Sequence, residues 1–400
     1  MGGTLVTFLG KGRENPQTGY RTATYRFPDG LRTTSYFGLA LSEYLRPECV
    51  IILGTRGSQW DLLVENVART GEEGAARLEL IDAVVNARVE QALLDRLTPV
   101  LKSGVGRDVR PCLIPYGRDA EEQKAILETI ARVVPKGEVS FDLTHGFRHL
   151  GMVGFLSAFM LERIGKLDVR GLWYGALDMT EDGVTPVLRL DGLTSVQRWI
   201  DALDQFEVTG DYAVFTELLA ADGVGEDKTR CLKEASFYER TCNTPDAARK
   251  LQSFLPVLEK PLPGASGLFQ AALRRRLDWV RETSREQHQR RLAYQYLDRG
   301  DYLRAAIFGW EALVTKECRM RGYDPEVYRE GREPAIEDLE NEIKADEHPE
   351  WKGEAYWTLK SLRNALAHGL LRRNKWEREL LRDPAQLYRQ LETSLKRLLG

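Results

Sequence analysis

The chain has 400 residues, 42% hydrophobic and 29% charged, with a formal net charge of −3. Two or three domains are expected at that length, and the mildly acidic balance excludes a globally basic nucleic-acid binder while leaving local patches open. Five cysteines without a C-x-x-C pair speak against a disulfide framework or a zinc ribbon and fit a reducing cytosol.

The predicted elements run as follows. Thr4 to Leu9 reads as a strand ending in Gly10-Lys11-Gly12. Arg21 to Phe27 and Leu31 to Tyr36 flank Pro28-Asp29-Gly30, the turn chemistry of a hairpin. Val50 to Leu53 is a short apolar strand closed by Gly54. Apolar residues recur at helical spacing from Leu78 to Leu101, predicting one long amphipathic helix. Val109 to Ile114 reads as a strand and Glu121 to Val134 as a helix. Glu138 to Phe141 is the next strand, followed by a helix over Leu150 to Leu161 and a strand over Arg170 to Tyr174. Strands alternating with helices argue for a mostly parallel sheet covered on both faces, an α/β Rossmann-like domain over 1–193. Beyond Thr194 helical periodicity dominates, predicting an all-α second half with a connector over 194–270 and a terminal domain over 271–400. Gly151 to Leu161, the longest apolar run, is too short to cross a bilayer, and no signal peptide is evident. A soluble, cytoplasmic chain with no membrane partner is expected.

Two strings carry chemistry. Asp142-Leu143-Thr144-His145-Gly146-Phe147-Arg148 leads from a strand through a glycine turn into a helix, the geometry of a ligand crevice in an open α/β sheet. Thr144, Gly146 and Arg148 offer hydroxyl, backbone N–H and guanidinium donors to an anion. A metal reading of Asp142, His145 and His149 is weaker, because no further ligand cluster supports it. Gly10-Lys11-Gly12-Arg13 and Thr55-Arg56-Gly57-Ser58 add two more basic or hydroxyl-bearing strand ends. None is a dinucleotide fingerprint or a Walker loop. Three such loops on one sheet edge suggest a ligand with several phosphates.

The second string is Arg363-Asn364-Ala365-Leu366-Ala367-His368-Gly369. Arginine holds phosphate in a bidentate fork and histidine moves protons near neutral pH. Five residues at ~100° each put the two side chains ~140° apart. Either the helix ends at His368, so that the ring swings over the terminus, or two copies of the helix build a shared site. Leu362, Leu366 and Leu370 give the helix an apolar stripe.

Asp142-Leu143-Thr144-His145-Gly146 resembles the signature of the CRISPR-associated DxTHG-motif family, and Arg363 with His368 resembles the Arg-x-x-x-x-His motif of HEPN ribonucleases. In this order the two are similar to CARF–HEPN effectors of type III CRISPR antiviral systems. Ile114-Pro115-Tyr116-Gly117-Arg118 and the Thr55–Trp60 loop resemble the same CARF half. The resemblance implies a CARF domain that dimerises and binds cyclic oligoadenylate, with tetra-adenylate preferred, as an allosteric activator. It implies a homodimer or higher homo-oligomer, a HEPN domain that cleaves single-stranded RNA, and no metal or other cofactor. By position it assigns ligand contacts to Thr144, His145, Gly146, Phe147 and Arg148, completed by Gly10, Lys11, Gly12, Arg13, Thr55, Arg56, Gly57 and Ser58. Arg363 and His368 would be catalytic, with Asn364 orienting them. Two alternatives stay open: a non-enzymatic sensor, and a CARF half that degrades the messenger itself, with Thr144 or Lys11 nearby.

Overall fold

A computed structural model describes residues 3–11, 14–15, 19–20, 22–68, 74–369 and 375–400. The apolar runs of the first half become strands because both faces of their sheet are covered. In β1 (Thr4–Leu9) every residue is buried, Leu5 and Leu9 in one apolar cluster and Val6 and Phe8 in another. That is the period-2 alternation of a strand packed on both sides. After the short antiparallel pair β2 (Glu14–Asn15) and β3 (Gly19–Tyr20) come the hairpin β4 (Ala23–Phe27) and β5 (Gly30–Thr34) and helix α1 (Phe37–Leu45). Strand β6 (Cys49–Gly54) repeats the two-faced pattern, with Val50 and Ile52 on one side and Ile51 and Leu53 on the other. Helices α2 (Trp60–Val67), α3 (Gly74–Val85) and α4 (Gln91–Val105) then lead to β7 (Asp108–Leu113). The remaining elements of this unit are α5 (Ala120–Val133), β8 (Gly137–Asp142), α6 (Arg148–Arg163), β9 (Leu167–Gly175) and β10 (Val184–Arg189).

The eight-stranded sheet has the order β5-β4-β10-β9-β8-β1-β6-β7. From β9 to β7 all neighbours are parallel, whereas β10 runs antiparallel to β9 and couples the β4–β5 hairpin to the sheet. From β1 the chain proceeds to β6 and β7 on one side, then returns to place β8 on the other. The β1/β8 boundary is therefore the topological switch point, where the C-terminal strand ends diverge and leave a crevice.

One expected element is corrected. The helical spacing from Leu78 to Leu101 belongs to two helices, α3 and α4, separated at Asn86–Glu90, where Ala87 has φ 50°. Asn86 ends the first helix by donating from Nδ2 to the Asp82 carbonyl at 2.9 Å. Leu80 and Ala83 of α3 and Leu93, Leu94, Leu97 and Leu101 of α4 enter one cluster, so the pattern continues although the helix does not.

The chain divides into two compact units, Met1–Asp191 and Gly192–Gly400. The second is helical: α7 (Asp191–Thr209), α8 (Thr216–Ala221), α9 (Glu226–Arg240), α10 (Thr244–Leu258), α11 (Ser266–Arg276), α12 (Arg285–Asp298), α13 (Tyr302–Arg321), α14 (Glu333–Lys344), α15 (Glu350–His368), α16 (Lys375–Leu380) and α17 (Pro384–Leu399). Trp199, Phe254, Leu313 and Leu395 belong to one continuous apolar core, which the helices of 194–270 share with those of 271–400. Helix α13 is its centre, buried from Ala305 to Val314 at most positions. Among the described residues no helix is long and apolar enough to cross a membrane.

Candidate ligand pocket and candidate active site

At the switch point the β1 and β8 ends touch backbone to backbone. A Cβ on Gly10 would lie 2.6 Å from the Gly146 nitrogen, and Gly146 itself has φ 98°, a left-handed conformation that favours glycine. Two hollows flank this contact, and Leu9, Gly10, Lys11 and Gly146 line both. The first, about 290 Å³, is also lined by Tyr36, Thr144, His145, Arg148, Tyr174 and Asp178. The second, about 220 Å³, adds Thr55, Gly57, Ser58, Ala87, Tyr116 and Phe147.

Several of the expected contact residues spend their polar atoms on building these walls. Thr144 Oγ1 accepts from the Gly175 N–H at 2.8 Å. Ser58 Oγ donates to the Leu9 carbonyl at 2.7 Å and accepts from the Thr55 N–H at 2.9 Å, so the Thr55–Ser58 loop is fastened to the end of β1. Thr55 and Ser58 are accordingly buried. His145 Nε2 accepts from the Phe37 N–H at 3.0 Å and so satisfies one of the free donors at the start of α1. That bond places the neutral imidazole proton on Nδ1. Arg56 is exposed beside the second hollow without being part of its lining. Arg148 and Lys11 are the exposed cations of the first hollow. Gly12 and Arg13 lie outside the described residues.

Beneath the first hollow runs a buried chain. Tyr36 OH meets Thr7 Oγ1 at 2.8 Å, Thr7 donates to Asp142 Oδ2 at 2.6 Å, and Asp142 Oδ1 accepts from the Thr144 N–H at 2.8 Å. Asp142 thus fixes the Thr144–Gly146 loop from below. Asp142, His145 and His149 do not converge: His149 Nε2 contacts the Tyr116 carbonyl at 2.7 Å, and among the described residues no group of three metal-ligating side chains gathers.

Burial pushes the Asp142 carboxyl up to about 6, against the pull of its threonine hydrogen bonds, and pushes His145 down to about 4. The signs oppose. A carboxyl raised above 3.8 binds more protons folded than unfolded, so its stabilising contribution is lost as pH rises through about 6. A histidine lowered from 6.5 binds fewer, so its contribution is lost as pH falls through about 4. Asp142→Asn removes the first effect and leaves the second. Its melting temperature is expected to climb between pH 4 and 6.5 more steeply than the wild type's; parallel slopes in scanning calorimetry would contradict the assignment.

The second site lies within the helical unit. Helix α15 presents Ala355, Tyr356, Leu359, Leu362 and Ala365 to the core and ends at His368, with Gly369 at φ 75°. Arg363 and His368 line one hollow of about 750 Å³ together with Trp310 and Glu311 of α13, Tyr328 and Arg332, Glu340 of α14, and Lys360. The helix end, the first of the two arrangements the spacing allows, brings both side chains to this hollow in a single chain. The Arg363 guanidinium sits over the Trp310 ring at 4.8 Å from its centroid. Its Nε is buried without a hydrogen-bond partner, and among the described residues no carboxylate pairs with it. Asn364 is half-buried and is not part of the lining, and Leu370 lies outside the described residues.

Sequence reasoning missed Tyr36, Tyr174 and Asp178 in the first hollow and Trp310, Glu340 and Lys360 in the last. Tyr116 stood in the quoted Ile114–Arg118 string without a role. Its ring approaches Phe147 at 6.0 Å and carries the Arg118 guanidinium at 4.6 Å.

Residues 4–176 match the family described as CRISPR system endoribonuclease Csx1, CARF domain. A curated relative, CRISPR-associated protein MJ1674 of Methanocaldococcus jannaschii, is 23% identical over 397 residues, covering 91% of this chain and 62% of the relative, so the chain spans less than two thirds of that protein's length. Among solved structures, Enterococcus italicus Csm6 bound to cyclic hexa-2'-fluoro-hexa-dAMP aligns over 99% of this chain and 94% of that one, at 11% identity and a TM-score of 0.39. The switch-point crevice and the Asp142–Gly146 string both lie within residues 4–176, the part of the chain similar to the Csx1 CARF domain, and a helical unit follows it.

Proposed function

We propose that this protein is a single-stranded RNA endoribonuclease of type III CRISPR antiviral defence, switched on by cyclic oligoadenylate bound at the edge of the N-terminal sheet. The observation that carries the reading is the pairing of Arg363 and His368 in one hollow at a helix end, with the guanidinium unclaimed by any carboxylate among the described residues. RNA supplies its own nucleophile, the 2′-hydroxyl. His368 transfers a proton during attack of that hydroxyl on the adjacent phosphorus or departure of the 5′-oxygen. Arg363 stabilises the charge that builds on the phosphorane-like transition state. Asn364, one residue on, orients the pair. Tyr328, 65% exposed at the rim, offers a ring face to an unstacked base.

Lys11 and Arg148 supply charge to a ligand seated across Gly10 and Gly146, with Thr55–Ser58 and Phe147 on the second side. The proposed activator is cyclic tetra-adenylate, the ring size that the family resemblance favours. Met152 and Leu156, one turn apart on α6 and 74% and 56% exposed, support pairing of two CARF domains. The ligand acts on the ribonuclease site only by its differential affinity for two arrangements of that pair.

The test is product chemistry. With cyclic tetra-adenylate and EDTA present, the protein is expected to leave 2′,3′-cyclic phosphate ends and to spare an oligonucleotide carrying a single 2′-deoxy residue at the scissile position. Cleavage of the deoxy substrate, or 5′-phosphate products, would overturn the mechanism. Arg148→Ala is expected to raise the activator concentration needed for half-maximal cleavage about tenfold, as loss of one charged contact does, while maximal cleavage persists; an unchanged requirement would remove Arg148 from the pocket.

A further inference from the structure

Four acids and four basic groups share the lining of the Arg363/His368 hollow: Glu311, Glu333, Glu337 and Glu340 against Arg332, Lys360, Arg363 and His368. An unengaged carboxylate beside a guanidinium captures it in a bidentate pair and repels an incoming phosphate. In this structure two of the acids are already taken. Glu311 holds the Arg332 guanidinium at 2.6 Å. Glu340 accepts from Lys360 Nζ and, at 2.5 Å, from Tyr356 OH.

Glu340 shares the hollow with Arg363 and is bonded to two residues of the helix that carries it, Tyr356 and Lys360. Lys360 and Arg363 are three residues apart on α15 and so neighbour each other on the helix surface. The charges of Glu340 and Arg363 both act on the Tyr356 hydroxyl, which bonds to Glu340. The Lys360 ammonium is further held over the Trp357 and Tyr356 rings, at 5.3 and 5.8 Å from their centroids. Arg363, stacked on Trp310, keeps a buried Nε with no partner.

We propose that Lys360 is a positioning residue: by engaging Glu340 it keeps the Arg363 guanidinium open for the RNA phosphate. The inference rests on the ribonuclease reading and adds to it a residue outside the Arg363–His368 string. Lys360 touches no reacting atom. It acts by deciding which cation the Glu340 carboxylate takes.

The experiment is a double-mutant cycle on the full chain with cyclic tetra-adenylate, reading kcat and KM for a fluorescent single-stranded RNA. Lys360→Gln releases Glu340, and kcat/KM is expected to drop about tenfold, the worth of one charged hydrogen bond. Glu340→Gln alone is expected to cleave at least as well as wild type. Lys360→Gln/Glu340→Gln is expected to recover to within about threefold of wild type, since with the carboxylate gone nothing competes for Arg363. A purely structural role for the Lys360–Glu340 pair predicts the reverse, a double variant no better than the single one. That outcome overturns the proposal, as does a Lys360→Gln protein that cleaves like wild type. Binding of a non-cleavable 2′-deoxy oligonucleotide, followed by anisotropy, should weaken and recover in the same order. If wild type cleaves no RNA with any cyclic oligoadenylate, the ribonuclease reading itself fails; if wild type cleaves and only the rescue is missing, the Lys360 assignment alone fails.

Discussion

Replacing His368 by alanine is expected to slow activated RNA cleavage at least ~10²-fold, the usual worth of a general acid–base group, with no change in activator binding. His368 is exposed at the last position of α15, so its removal leaves no cavity and breaks no core contact. The fold should therefore be indifferent and the chemistry should not. Arg363→Ala should act comparably on rate, but it also strips the cover from Trp310, so the histidine variant is the cleaner instrument. The check is single-turnover cleavage at saturating activator, beside a melting curve. A His368→Ala protein that cleaves at near-normal rate would remove the imidazole from the mechanism.

The second large effect belongs to the switch point. Gly10→Val should weaken activator binding, because its Cβ meets the Gly146 backbone at 2.6 Å, and backbone has no rotamer into which to retreat. The β1 and β8 ends must separate, and both hollows change at once, since both share that contact. Overpacking of this kind costs about 1–3 kcal/mol of stability. The affinity loss should be on the order of tenfold to a hundredfold, from backbone donors moved out of register with the ligand. Calorimetric titration with cyclic tetra-adenylate measures it. Wild-type affinity in Gly10→Val would place the ligand elsewhere.

What could be read from the chain, and what could not, follows from the kind of burial each element has. β1 and β6 are covered on both faces, so they announce themselves as apolar runs, whereas β8 gives only Val139 and Phe141 to one cluster and reads by alternation. β10 was missed because Pro186 interrupts Val184–Arg189, and proline argues against a paired strand. It is nevertheless the strand that joins the hairpin to the sheet. α1 carries Gly38 and runs nine residues, and α2 runs eight, both too short for helical periodicity to stand out. The Asp142–Arg148 string was legible because its chemistry is local: a strand end, a left-handed glycine and a helix start follow one another in sequence. Its supports were not. Nothing in the chain pairs Phe37 with His145, Tyr36 with Thr7, or Trp310 with Arg363, because tertiary packing alone creates those contacts. The same limit hid Lys360 and Glu340, which only the fold brings together.

The most direct measurement of the central claim is cleavage of a fluorescent single-stranded RNA by the wild-type protein in EDTA, with and without cyclic tri-, tetra- and hexa-adenylate. Cleavage that is negligible alone and rises sharply with one ring size, tetra-adenylate foremost, is the expected result. An RNA that stays intact with every ring, or is cut equally well with none, would contradict a ligand-controlled ribonuclease.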